Sequence, residues 1–108
     1  MKRIYIAGDY SADNTIKTLQ NIGKGEKVAA RIFDHGYAPF CPWHDKGYAM
    51  ELCTRSLPVE KFYRASIAWL EVSDAMLVIS GKGNGGGVDK EIEIAEKLGI
   101  PVFYSERE

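Results

Sequence analysis

Two cysteines in a chain of 108 residues are too few for a disulfide scaffold. Neither sign of charge prevails. Fourteen Lys and Arg against fifteen Asp and Glu leave a net charge of -1, so nothing favours a nucleic acid polymer or an anionic membrane as partner. No apolar run approaches the roughly 20 residues needed to cross a bilayer. The basic start Met1-Lys2-Arg3 leads into an apolar run too short for a signal peptide, and that run reads as a strand. Internal repeats and linkers are missing. Cys41, Cys53, His35 and His44 follow no zinc spacing, so neither a metal nor a cofactor is expected. A cytoplasmic location follows, with Cys41 and Cys53 as free thiols.

What is there suits one globular domain over residues 1–108, with 45% apolar and 27% charged residues. Ile4 to Ala7, closed by Gly8, has the unbroken apolar character of a strand buried on both faces. Asn14 can cap a short helical piece with Ile16 and Leu19, but Gly23 and Gly25 argue against one long helix. Val28, Ala29, Ile32 and Phe33 are helical in spacing up to Gly36. Tyr37 to Phe40 reads as a second strand, placed at an edge by Pro39.

Residues 41–55 form a long aromatic connection, expected to hold a short helix and to wall the ligand edge. A helix started by Ser56 and Pro58 runs to about Val72. Asp74 to Ser80 is a third strand, and Ile100 to Tyr104 the last. Strands alternating with helices predict an α/β fold. The expected form is a three-layer, doubly wound parallel sheet of flavodoxin-like or Rossmann-like type, with four to five strands in the order 2-1-3-4.

The stretch from Gly81 to Gly99 holds the strongest functional signal. Glycines at 81, 83, 85, 86 and 87 run into an amphipathic helix. Val88, Ile92, Ile94, Ala95 and Leu98 share one side of its wheel, and Asp89, Lys90, Glu93, Glu96 and Lys97 the other. Glu91 falls inside the apolar stripe. Two readings compete. The helix dipole and free N–H groups can hold a first-turn acid. Alternatively the stripe faces a cleft there, and Glu91 points into it as a catalytic group. The glycine loop lets a ligand approach the backbone and offers N–H groups to an anion, with a plain surface turn as the competing reading. It is neither a Walker loop nor the dinucleotide fingerprint, since no Gly-Lys-Ser/Thr follows it and it succeeds the third strand.

Three segments then meet at the carboxyl edge: Tyr5 to Ser11, residues 41–55, and Ser80 to Glu91. Candidate binding residues there are Gly8, Asp9, Ser11, Trp43, His44, Ser80, Gly85, Gly86 and Gly87. Trp43 can stack on a base or simply pack its loop. Tyr5 reads as a core aromatic, Asp74 as a turn residue, and Ser80 as a phosphate donor or a strand-end cap.

The chain resembles the nucleoside 2-deoxyribosyltransferase superfamily, and most of all its small bacterial and phage branch. The resemblance rests on Ile4-Tyr5-Ile6-Ala7-Gly8 with Ser11, Gly36-Tyr37 leading to Pro39-Phe40 and Pro42, and Ser73 to Leu77. Its most specific part is the run Gly87, Glu91, Ala95, Leu98-Gly99-Ile100-Pro101-Val102. It implies cleavage or exchange of the N-glycosidic bond of a nucleoside or nucleoside 5′-monophosphate. Glu91 matches the family's nucleophile, Tyr5 the tyrosine that orients it, and Asp74 the aspartate that serves the base. Departures are the missing second acid in the loop before the nucleophile, and Gly8-Asp9 where Gly-Pro is usual.

From another class comes a non-catalytic nucleotide or phospho-sugar binding module on the same fold; a third reading is a scaffold with a vestigial site. A homodimer or homotetramer is expected, because so small a sheet leaves edges and aromatic helix faces such as Phe62, Tyr63 and Trp69.

Overall fold

The structure, a computed structural model, describes residues 1–11, 13–52 and 59–104. Four strands form one parallel sheet: β1 (Arg3–Ala7), β2 (Ala38–Phe40), β3 (Ala75–Val78) and β4 (Val102–Phe103), in the order β2-β1-β3-β4. The helices are α1 (Thr15–Asp34), α2 (Asp45–Glu51), α3 (Val59–Glu71) and α4 (Gly87–Lys97), and a 3-10 turn spans Pro42–His44. Class and strand order are those the alternation of elements predicts.

β1 lies between β2 and β3, with Tyr5 opposite Phe40 on one side and Met76 on the other. Side chains packed from both sides cover its two faces, which is why its sequence is apolar without alternation. Right-handed crossovers send α1 to one face and α3 and α4 to the other. Tyr5, Ala7, Met76 and Val78 pack with Leu70, Val88, Ile92 and Ala95 on the α3–α4 side. Ile6 packs with Ala29, Cys41 and Trp43 on the α1 side. Tyr5, Ile6, Leu70 and Met76 are the largest fully buried side chains, each worth about 1.5–3 kcal/mol in water-excluded surface.

α1 is one unbroken helix of 20 residues, where the glycines predict a break. Asn14 caps it, its Oδ1 accepting from Lys17 N at 2.8 Å. Gly25 is kept by packing: a Cβ there would stand 2.9 Å from the Trp43 ring. The roughly 1 kcal/mol that each glycine costs a helix is outweighed by that contact and the rest of the buried stripe. Ile16 and Leu19 are exposed rather than buried. Gly36, at φ +93, ends the helix as its position predicts.

β3 and β4 are shorter than their apolar runs. Ser80 lies beyond β3, where its Oγ accepts from Asp9 N at 2.9 Å and ties the ends of two strands together. Leu98 leaves the apolar stripe of α4: it is the C-cap, and it is 52% exposed. The helix start assigned to Ser56 and Pro58 lies outside the described residues, as does Cys53. Among the described residues no helix is long and apolar enough to cross a membrane.

Candidate active site

β1 and β3 are neighbours whose chains leave toward opposite sides of the sheet. The crevice outside their carboxyl ends is where ligands bind in such folds. A cleft of about 350 Å³ opens there. The turn after β1 supplies Gly8, Asp9, Tyr10 and Ser11 to it. The connection after β2 supplies Pro42, Trp43, Asp45 and Ala49, and α3 adds Phe62. The first turn of α4 supplies Gly87, Val88 and Glu91.

Glu91 therefore faces the cleft. Its Oε2 is buried and has no hydrogen-bond partner among the described residues, and the same holds for the Tyr5 hydroxyl. Its Oε1 lies 4.0 Å from where a Cβ on Gly87 would stand, so the carboxyl group folds back over the helix start. Burial pushes the Glu91 pKa up to about 7, and the nearby Tyr5 hydroxyl opposes part of that rise. Tyr5 itself is pushed upward, first by burial and then by the charge of Glu91, so it stays a neutral phenol. The two groups are close enough to influence each other's ionisation without meeting in hydrogen-bond geometry. Buried polar atoms of this kind are uncommon in native structures. Ser66, on α3, is also close enough to Tyr5 to favour its ionised form, though burial prevails.

Gly8 is required by closeness: a Cβ there would stand 3.0 Å from Ile79 and 3.1 Å from the Tyr10 ring. Tyr10 can thus fold back, donating from its hydroxyl to Ile6 O at 3.0 Å. Its ring meets Trp43 at 4.6 Å, tilted by 60°. This aromatic pair walls the side of the cleft nearest α1.

Gly8, Asp9, Ser11, Trp43, Gly87 and Glu91 are brought together as their sequence positions suggest. Others are not. Asp74 is at the opposite edge, before the first residue of β3, where its Oδ2 accepts from Arg3 N at 2.7 Å. The length of a four-residue strand, roughly 13 Å, lies between it and the cleft. It joins the ends of two strands. His44 turns away, its Nε2 donating to Glu26 Oε1 at 3.1 Å. Ser80 borders a second cavity of about 390 Å³ on the α1 side, with Asn21, Lys24 and Asn84.

Gly85 and Gly86 do not line the cleft. Two of the loop amides are taken up within the loop itself. Asp89 accepts from Gly83 N at 2.8 Å and from Gly85 N at 2.6 Å, which holds its carboxyl below the usual range. An internal carboxylate thus ties this part of the glycine loop together. Its place four and six residues after the glycines it caps was readable as a loop cap.

Tyr10, Asp45, Ala49 and Phe62 are cleft residues that the sequence does not single out. Tyr10, in the turn after β1, and Asp45 and Ala49, in the 41–55 connection, carried a positional hint; Phe62 carried none. Cys41 is a buried free thiol whose pKa burial pushes up to about 12. No group of three His, Cys, Asp or Glu able to hold a metal ion occurs among the described residues.

No protein-family model matches the chain, and no curated protein matches it in sequence. Among solved structures, the 2-deoxyribosyltransferase of the psychrotolerant bacterium Bacillus psychrosaccharolyticus is similar. It was characterised as a biocatalyst for the synthesis of antiviral and antitumoral nucleosides. The two share a TM-score of 0.62 at 19% identity, over 93% of this chain and 69% of that chain. At this identity the likeness concerns the fold.

Proposed function

We propose that the protein cleaves or transfers the N-glycosidic bond of a nucleoside, with Glu91 as nucleophile. The single observation that carries this reading is a pair of buried oxygens without a hydrogen-bond partner among the described residues: Glu91 Oε2, on a residue that lines the cleft, and the hydroxyl of Tyr5, in the core beside it. The fold shared with a nucleoside-processing enzyme and the family-like run from Gly87 to Val102 support the same chemistry.

The ionised Glu91 carboxylate attacks the anomeric carbon as the bond to the base breaks, through an oxocarbenium-like transition state. An ester between Glu91 and the sugar forms, and the base leaves with a proton. Water, or a second base, then attacks the same carbon and frees the carboxylate. Tyr5, held as a phenol beside Glu91, donates to it once substrate closes the gap between them and keeps it aligned. Asp9 and Asp45 are the acids of the cleft able to serve the leaving base. The described lining carries three carboxylates and neither lysine nor arginine, and Asp89 occupies the amides of Gly83 and Gly85. Both features favour an uncharged nucleoside over its 5′-monophosphate.

The test is release of free base from 2′-deoxynucleosides, ribonucleosides and their 5′-monophosphates, by the wild-type protein and by Glu91→Ala. Release from nucleosides that vanishes in the variant supports the reading, and equal release by both removes Glu91 from the reaction. Thermal stabilisation by nucleosides without release makes the protein a binding module.

A further inference from the structure

One face of α1 holds the aromatic wall of the cleft from behind. Asn21 Nδ2 donates to Tyr10 O at 3.1 Å. One turn on, Gly25 presents a bare backbone to the Trp43 ring, which lies 2.9 to 3.3 Å from where a Cβ would be. Next to it, Glu26 Oε1 accepts from Trp43 Nε1 at 2.6 Å and from His44 Nε2 at 3.1 Å. The short bond from the indole N–H is charge-assisted, hence strong and directional. Trp43 is only 4% exposed, so it backs the wall, and Tyr10 in front of it presents surface to the cleft. Tyr10 is fixed in turn at both ends, by Asn21 at its backbone and by Ile6 O at its hydroxyl.

We infer that Glu26, which does not line the cleft, is a positioning residue for recognition of the base: by fixing the Trp43 indole it sets the tilt of Tyr10, against which the base of a bound nucleoside packs. This rests on the proposed function, because a nucleoside offers one aromatic surface, its base. An aromatic ring held at a fixed angle loses little freedom when a base settles on it, whereas a loose ring must be ordered at the cost of affinity. Sugar and scissile bond lie at Glu91, at the other wall. Glu26 therefore governs how well the substrate is held and leaves the chemical step alone.

The experiment uses the full chain carrying Trp69→Phe, so that Trp43 is the one remaining tryptophan. Glu26→Ala and Glu26→Gln are compared with that parent, with 2′-deoxyadenosine and thymidine as probes. Loss of the acceptor raises KM for base release about tenfold while kcat stays within about twofold; Gln, which keeps an acceptor oxygen, restores most of it. Trp43 emission shifts to the red in the Ala variant and returns in the Gln variant. If Glu26→Ala fails to fold, Trp43→Phe, which keeps a ring and deletes the N–H donor, carries the same KM comparison.

An unchanged KM in a folded Ala variant whose emission has shifted overturns the inference, as does a fall in kcat alone. A parent whose Trp43 emission and thermal stability ignore every nucleoside overturns the function itself. A parent that binds them, with a variant that binds equally well, sinks only the role of Glu26.

Discussion

Above neutral pH the fold carries a charge at Glu91 that burial disfavours, and the sign of the consequence follows from linkage. The folded pKa is about 7 against an ordinary value of 4.5. Below 4.5 the group is protonated in both folded and unfolded chains, and its contribution to stability is complete. As pH rises through that interval the unfolded chain ionises first, and stability falls by on the order of 3 kcal/mol by pH 8. Glu91→Gln removes this loss, so urea midpoints measured between pH 4 and 8 fall less steeply in the variant. Activity runs the other way. A nucleophile must be ionised, so wild-type turnover climbs through pH about 7. A profile that falls there instead makes Glu91 an acid. Tyr5→Phe deletes a buried hydroxyl that has no hydrogen-bond partner among the described residues. Its stability is kept or raised by about 1 kcal/mol, while base release drops and its pH midpoint moves upward.

Elements were legible where local rules agree. Gly36 ends α1, Asn14 starts it, Pro39 marks an edge strand, and the stripe of α4 is buried at Val88, Ile92 and Ala95. The continuity of α1 was hidden, since propensity speaks against Gly23 and Gly25 and only the Trp43 ring explains the second of them. The two glycines should part company when substituted. Gly23→Ala meets nothing within 4 Å and stabilises the helix, by about 0.5–1 kcal/mol. Gly25→Ala drives a Cβ into the Trp43 ring, and the loss is about 1–3 kcal/mol. Thermal melts of the two variants decide it.

For the whole molecule, apolar surface remains uncovered. Trp69 is 55% exposed and stacks on Phe40 of edge strand β2, with ring centroids 5.3 Å apart, and Val72 is 53% exposed. Sedimentation is expected to show a dimer at micromolar concentration, weakened by Trp69→Glu; a wild-type monomer means that this surface stays solvated. The amino-acid order alone determined the alternation of strand and helix, the strand sequence 2-1-3-4 and the inward direction of Glu91. These depend on periodicity, on glycine and proline punctuation and on the handedness of crossovers, all local or general constraints. Only the tertiary structure decided that Asp74 belongs to the far edge, that Asp89 fills the glycine loop, and that Tyr10, Asp45 and Phe62 join the cleft. Those are matters of which residues from distant segments share a space, and no spacing along a single chain encodes that.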